Sequence, residues 1–182
     1  MTDPRSCSAN PPASPPAPGR SPLDVLLVPV PSGRVESPLE DRHALDFHLG
    51  APVQVSCRME GRERNGFQTH GLFCVLPAGG KARWMMSRSA RAMVVLFSPS
   101  LFRETAEAMG LRARDGELLP AIHVRDPQIE RLGWVLQAEH EDDYPSGKLF
   151  TDSLAAALAA RLLALQARSG AEPSGSRVGS RR

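Results

Sequence analysis

The alternation of apolar and polar residues predicts a β-rich region in the first half of this 182-residue chain. In the segments HALDFHL and VQVSCRM, apolar residues recur at every second position. This period of two is typical of strands that bury one face. Further short apolar segments occur at regular intervals, and together they predict antiparallel strands forming a sandwich or barrel. The strand segments are DVLLVPV (24–30), HALDFHL (43–49), VQVSCRM (53–59), LFCVL (72–76), ARWMMS (82–87) and AMVVLFS (92–98).

Segments rich in turn-forming residues separate these strands. We expect each of them to be a connection rather than a strand, because Gly, Pro and Asn favour turn conformations. Pro29 lacks a backbone donor, which predicts that the first strand lies at a sheet edge. The predicted connections are LGAP (49–52), EGRERNG (60–66), PAGG (77–80) and RSAR (88–91).

After residue 98 the apolar period lengthens to that of helices. Ser98 and Gly110 are placed as the cap and the stop of a first helix, and Asp126 with Pro127 begins a second. The third helix, LFTDSLAAALAARLLALQARSG (149–170), has four leucines on one face: Leu154, Leu158, Leu162 and Leu165. The fold class is therefore α+β, an antiparallel barrel followed by two to three helices.

Composition divides the chain into four parts and excludes some classes of protein. We predict a disordered proline-rich tail over 1–22, a barrel over 23–98, a helical segment over 99–168 and a disordered polar tail over 169–182. The net charge of +2 gives no strong field toward nucleic acid or membranes. Three cysteines without a C-x-x-C pair fit a reducing compartment. The apolar run 154–165 is short and contains Arg161, so we expect a cytoplasmic protein that does not enter the membrane.

Motifs for catalysis or metal binding are absent from the sequence. It contains no G-x-S-x-G, H-E-x-x-H, P-loop or G-x-G-x-x-G motif, and no H-x-H pair. A metal site needs three or four convergent ligands, whereas His43, His48 and His70 are scattered. We therefore predict no metal, no cofactor and no catalytic residue.

One glycine and proline pattern resembles the second motif of the cupin barrel. Gly71 is followed after five residues by Pro77 and then Gly79, a spacing that also suits a plain hairpin turn. Metal-binding cupins continue this motif with a histidine and an asparagine, and this chain has Ala82 and Met86 at those positions. The resemblance therefore implies a cupin-like jelly roll that has lost this part of the metal site.

The order of segments from about 43 to 168 resembles the N-terminal sensor domain of AraC-type transcriptional regulators. The matching segments are FHLGAPVQVSCRMEGRERNGFQTHG, LFCVLPAGGKARW, VVLFSPSLFRETAEAMGL, VRDPQIERLGWVLQAE and LFTDSLAAALAARLLALQAR. The resemblance implies a domain that binds a small effector inside a cupin-like barrel and forms a homodimer through the following helices. The candidate pocket residues are Phe47, Cys57, Met59, Trp84 and Phe97, which occupy the strand positions that the alternation predicts to be buried. The four leucines of the third helix are the candidate dimer surface.

The family places two helix-turn-helix units after this domain, whereas this chain ends fourteen residues after Arg168. We therefore expect an effector-sensing and dimerisation module that binds no specific DNA alone, and that is either truncated before the DNA-binding domain or a sensor domain that works alone. Two alternatives stay open: a small metal-independent cupin-like enzyme, and an interaction protein whose barrel is filled.

Overall fold

The computed structural model describes residues 22–37, 41–111 and 117–170. The predicted tails, 1–22 and 169–182, lie almost entirely outside these ranges. Within them the chain forms nine strands and three helices. Their bounds are β1 Leu23–Val30, β2 Gly33–Glu36, β3 His43–Leu49, β4 Val53–Met59, β5 Arg62–Gln68, β6 Phe73–Leu76, β7 Ala82–Met86, β8 Ala90–Phe97, α1 Pro99–Ala108, β9 Ala121–Val124, α2 Pro127–Glu141 and α3 Gly147–Gly170.

The strands form two antiparallel sheets with the order of a jelly roll. Sheet A has the order β1-β8-β3-β6-β9, and sheet B has the order β2-β7-β4-β5. The first eight strands alternate between the sheets except for the β4–β5 hairpin, which is the order that two Greek keys require, and β9 adds a fifth strand beside β6. This topology confirms the predicted α+β class and the predicted barrel. The first strand lies at the edge of sheet A, as Pro29 predicted.

Three strands were not predicted from the sequence: β2, β5 and β9. The segment EGRERNG was interpreted as a connection, yet most of it belongs to β5. Glu60 and Gly61 have positive φ angles of 46° and 75°, so they alone make a tight two-residue hairpin between β4 and β5. The polar residues continue because β5 is an edge strand, where both faces reach solvent. The segment 99–168, predicted to be helical, also contains β9.

The predicted helix caps are confirmed. The Ser98 hydroxyl accepts a hydrogen bond from the Leu101 backbone nitrogen at 3.3 Å, and α1 ends before Gly110. Asp126 accepts from the backbone nitrogens of Gln128 and Ile129, with Pro127 in the first turn of α2. Arg161, in the middle of α3, also binds Asp126 at 2.6 Å. This ion pair joins the start of α2 to α3 and lowers the pKa of the Asp126 carboxyl.

The helices cover the outer face of sheet A and form the larger core with it, here called the helix-side core. Gly133 of α2 lies so close to Phe47 that a Cβ atom would stand 2.9 Å from its ring. The members of this core are almost all aliphatic or aromatic, and the most deeply buried include Leu45, Phe47, Phe73, Met93, Phe97, Phe102, Ile129, Leu136, Leu158 and Leu162.

The leucine face of α3 belongs to this core. Leu154, Leu158 and Leu162 are 7%, 0% and 1% exposed, and Leu165 packs against the same cluster. By length and composition alone, α3 over Gly147–Arg168 could cross a membrane. The buried leucines show that one face of α3 packs into the helix-side core.

The two turns of the glycine and proline motif, one before β6 and one between β6 and β7, have the geometry that the motif predicted. Gly71 and Gly79 have φ angles of 85° and 74°, which side chains other than glycine rarely adopt. The Gly80 nitrogen donates to the Pro77 carbonyl at 2.9 Å and closes the turn. At Gly71 a Cβ atom would also lie 2.7 Å from the Glu130 carboxylate, so the glycine makes room for α2 as well.

Candidate functional site in the barrel interior

The space between the two sheets forms a second cluster, here called the barrel interior. Three of the five predicted pocket residues, Cys57, Met59 and Trp84, lie together there. Phe47 and Phe97 lie on the opposite face of sheet A, in the helix-side core. Strands β3 and β8 are buried on both faces, so buried parity alone did not reveal which face points into the barrel. The buried residues of the interior are Ala44, Val53, Val55, Cys57, Met59, Cys74, Leu76, Ala82, Trp84 and Met86.

A polar cluster crosses this otherwise apolar interior. Asp46 and Cys74 are register partners in sheet A, and Cys74 shares a hydrogen bond with Cys57 of sheet B. The Gln68 amide donates to the Cys74 sulfur at 3.8 Å, and the His123 backbone N–H donates to the same sulfur. We call Asp46, Cys57, Gln68, Cys74 and His123 the interior polar cluster.

Asp46 is the acidic member of this cluster. Burial raises the pKa of its carboxyl to about 6. The side chain nevertheless keeps part of its surface accessible, while Ala44 and His48, on the same side of β3, are buried. No described residue donates a hydrogen bond to the carboxyl. A partly accessible carboxyl in a protein interior is a ready hydrogen-bonding group for a bound molecule.

The Cys74 thiol of the cluster is a poor nucleophile. The hydrogen bond with Cys57, burial and the charge of Asp46 all raise the pKa of the Cys74 thiol well above its ordinary value. Both thiols are buried and free. A reactive cysteine needs a lowered pKa and access to substrate. The arrangement is therefore better suited to holding a polar group of a ligand than to attacking it.

A cavity of about 330 Å³ opens where the edge strands β5 and β9 lie alongside each other, a place we call the seam. Met59 lines both this cavity and the barrel interior, and Ile122 packs against the interior core from β9. The seam thus borders the barrel interior, and His123 of the interior polar cluster lines its cavity. The cavity is lined by Met59, Arg62, Glu63, Arg64, Pro120, Ala121, Ile122, His123 and Val124.

A smaller cavity of about 250 Å³ lies on the helix side of sheet A. His43 and Phe102 form part of its wall and pack edge to face with ring centroids 5.0 Å apart. The Nδ1 atom of His43 accepts a hydrogen bond from the Ala78 nitrogen at 3.0 Å. Burial lowers the pKa of this imidazole, which fits a structural role for neutral His43.

The structure does not bring the other histidines considered as metal ligands together. His48 bonds the Ala51 carbonyl at 2.9 Å, and His70 accepts from the Gly50 nitrogen at 3.0 Å while it stacks on Trp134. Ala82 and Met86, which stand at the cupin motif positions, are buried in the apolar interior. Within the described residues, no three His, Cys, Asp or Glu side chains are arranged to hold a metal ion.

No protein-family model and no curated protein matches the sequence. Solved structures with a similar arrangement include the EutQ protein of Clostridium difficile, at 14% identity and a TM-score of 0.34. That match covers 42% of this chain and 56% of EutQ, so the chain spans little more than half of that protein.

Two further similar structures have comparable scores. The cupin-2 domain protein of Shewanella frigidimarina has 16% identity and a TM-score of 0.33 over 42% of this chain and 71% of that protein. The DMSP lyase DddQ of Ruegeria pomeroyi has 20% identity and a TM-score of 0.34 over 42% of this chain and 38% of that enzyme. The fold is cupin-like. At such scores these proteins transfer no activity or substrate to this chain, and the cupin-like assignment rests on the strand order itself.

Several residues of the site were not identified from the sequence: Asp46, Arg62, Arg64, Gln68 and His123. A signal existed for Asp46, because a carboxylate in the middle of the strand HALDFHL is unusual if the sheet is covered on both faces. Arg62 and Arg64 were not considered as site residues because their segment was interpreted as a connection and not as a strand. His123 was hidden because β9 is short and lies between helices.

Proposed function

We propose that this chain is a non-enzymatic module that binds a small effector in its barrel, as the sensor domains of AraC-type regulators do. The observation that carries the proposal is the Asp46 carboxyl, which is partly accessible and unbonded by described residues in an interior that is otherwise apolar. Ligand sites in proteins typically combine apolar walls with a few polar groups that fix orientation. The cavity at the seam adjoins the barrel interior at Met59.

Binding is favoured over catalysis by the character of the polar residues. The Cys74 thiol has a raised pKa, and burial followed by the charge of Arg64 lowers the pKa of His123. Nucleophilic catalysis would need the opposite change at the thiol. A metal-independent cupin-like enzyme remains the alternative, in which the Asp46 carboxyl, with its pKa of about 6, would serve as an acid or base.

The proposed module also pairs with a second copy of itself. Since the leucine face of α3 lies within the chain's own core, the pairing surface would be the outward face of the same helix. Leu149 is 82% exposed and Phe150 is 38% exposed at its start, and Ala156 and Ala157 continue the exposed side. Exposed apolar residues in such a cluster are typical of interaction surfaces.

The binding proposal is tested by a thermal-stability screen of the full chain against small metabolites. A ligand present at 100 times its Kd stabilises a protein by about 2.7 kcal/mol, which corresponds to a Tm increase of roughly 5–10 °C at this size. Ile122→Trp would fill the cavity and should abolish the increase. Val135→Trp, at a 41% exposed position on α2, is the matched control and should retain it.

Three outcomes would contradict the proposal. If no compound raises the Tm of the parent chain, the barrel is filled and the interaction-protein alternative is favoured. If a stabilising compound is converted to product during incubation, with or without chelator, the chain is an enzyme. Equal stabilisation of the Ile122→Trp variant would place the binding site elsewhere on the molecule.

A further inference from the structure

Two solvent-exposed arginines of the edge strand β5 lie on the inner face of sheet B, where they border the cavity at the seam. Arg64 is the register partner of Cys57, and Arg62 is the register partner of Met59. Directly opposed residues of antiparallel strands project from the same face of a sheet. Because Cys57 and Met59 are fully buried in the interior, Arg62 and Arg64 also lie on that face. Both arginines line the cavity at the seam.

Neither guanidinium has an acidic partner among the described residues. Glu63, which stands between them in β5, lies on the outer face of sheet B. There its carboxylate accepts hydrogen bonds from Arg58 at 2.5 Å and from the Ser56 hydroxyl at 3.2 Å. These bonds, that of Arg58 first, lower the pKa of Glu63. Glu63 also lines the cavity, but its carboxylate is engaged by Arg58 and Ser56, so two positive charges remain without a partner at the cavity in the described part of the chain.

The opposite wall of the seam presents His123 from β9. This residue has a φ angle of 53°, a left-handed conformation that is uncommon outside glycine. Its Nε2 atom is buried without a hydrogen-bond partner in the described structure. Gly66 of β5 faces the ring, and a Cβ atom there would lie 3.7 Å from Nδ1. The glycine thus leaves space beside the imidazole, where a larger side chain would compete with a ligand.

We propose that the cavity at the seam binds the carboxylate of a small monocarboxylic acid through Arg62 and Arg64, with Nε2 of His123 as a further donor. This inference rests on the proposed function and names its ligand class. A guanidinium matches a carboxylate in shape and forms paired, charge-assisted hydrogen bonds with it. The rest of the ligand is apolar, since Met59, Pro120, Ala121, Ile122 and Val124 complete the wall.

The inference is tested by calorimetric titration of the full chain with acids and their primary amides, which share a shape but differ in charge. The pairs are benzoate with benzamide, hexanoate with hexanamide, and indole-3-acetate with indole-3-acetamide, together with inorganic phosphate. We expect at least one acid to bind about ten- to a hundredfold more tightly than its amide, which corresponds to losing one charge-assisted hydrogen bond.

The variants assign the effect to the seam. Arg62→Gln combined with Arg64→Gln should remove the preference for that acid. Arg83→Gln is the matched control, because Arg83 lies on β7 at 50% side-chain exposure and pairs with Glu36 outside the cavity. An equal loss in the Arg83→Gln variant would overturn the proposal, since the acid would then be attracted by general surface charge.

The other outcomes separate this inference from the proposed function. If an amide binds as tightly as its acid, the pocket exists but does not recognise charge, and only the carboxylate assignment fails. If phosphate binds as tightly as every acid, the site is a general anion site and the proposed ligand class is wrong. If no acid binds, the carboxylate site is refuted, while stabilisation by neutral metabolites would still support an effector-binding barrel.

Discussion

Both faces of sheet A are buried, but they differ in chemistry. On the helix side, the buried side chains of β3 are Leu45, Phe47 and Leu49. On the barrel side, the same strand carries Ala44, Asp46 and His48. Adjacent residues of β3 therefore point in opposite directions, one set into the close-packed helix-side core and the other into the barrel interior with its polar groups. The close-packed core that stabilises the fold thus lies on one face, and the polar groups on which the proposed binding rests lie on the other.

The contrast also explains why the barrel interior is open at one side. The helix-side core is sealed by three helices, and its aromatic rings pack at centroid distances of 5.4 Å for Phe47 with Phe73 and 5.6 Å for Phe97 with Phe102. The barrel interior instead ends at the seam, where β5 and β9 are both edge strands. Edge strands expose unpaired backbone groups and polar side chains, so the seam tolerates the arginines that a sealed core would exclude.

The largest expected effect comes from a charge in the helix-side core. Leu158→Glu would bury a carboxylate without a partner at a position that is 0% exposed, and we expect a loss of about 4 kcal/mol or more in the free energy of unfolding. Ala156→Glu, two residues away on the exposed side of α3, is the control and should change stability little. Urea denaturation followed by circular dichroism measures both. A folded, monomeric Leu158→Glu protein would instead indicate that this leucine belongs to an interface between copies.

Gly133→Ala should destabilise the protein by about 1–3 kcal/mol, because the added methyl group meets the Phe47 ring in a core without space. Helix propensity alone predicts the opposite sign, a gain of up to about 1 kcal/mol. Ser153→Ala is the control, because at this exposed position of α3 the substitution changes helix propensity without placing a methyl group against a ring. An increase in stability for Gly133→Ala would show that the helix-side core is looser than described.

Asp46→Asn is expected to stabilise the protein at high pH and not at low pH. Burial raises the pKa of Asp46 from 3.8 to about 6, so the folded state binds the proton more tightly than the unfolded state. The favourable contribution of the protonated carboxyl is complete below pH 3.8 and is lost as the pH rises through 6. At pH 8 the asparagine variant should therefore gain about 2 kcal/mol, less than the full shift implies because the side chain keeps accessible surface.

The measurement for Asp46→Asn is urea denaturation of parent and variant at pH 4 and pH 8. The difference between the two pH values is the informative quantity, because any packing defect from the amide contributes equally at both. Glu107→Gln, at an exposed position on α1, serves as the control and should show a much smaller pH-dependent difference. A difference for Asp46→Asn that does not change with pH would contradict the burial of its charge.

The smallest expected effect on stability comes from the outward face of α3. Leu149→Glu together with Phe150→Glu should alter the free energy of unfolding by about 0.5 kcal/mol or less per site, since surface substitutions usually stay in that range. If α3 pairs with its copy through this face, sedimentation velocity should show a dimer for the parent and a monomer for the variant. A parent chain that is monomeric at high concentration would refute the pairing.

Much of the architecture could be predicted from local patterns, and the exceptions share one cause. The six apolar strand segments and all three helices were found because alternation, caps and stops are local signals. In contrast, β2, β5 and β9 depend on neighbouring strands for their conformation, and their own residues carry little periodicity. The candidate site was therefore the part least well predicted, because Arg62, Arg64 and His123 lie on β5 and β9.

The assignment of faces was the other part that sequence could not settle. Alternation identifies which residues of a strand share a face, but it does not say which face points into the barrel. Phe47 and Phe97 were placed in the pocket for this reason, although the helices cover them. Cys57, Met59 and Trp84 lie in the barrel interior. Only one face of sheet B is covered, so all buried residues of this sheet point to the interior.

The central claim, that ligand binds in the barrel interior and not in the helix-side core, is tested most directly by methionine-methyl NMR. Met59 and Met86 lie in the barrel interior, whereas Met93 is fully buried in the helix-side core. Titration with the most strongly stabilising compound of the metabolite screen should shift the Met59 methyl resonance and leave that of Met93 unchanged. A shift of Met93 with an unchanged Met59 would contradict the claim.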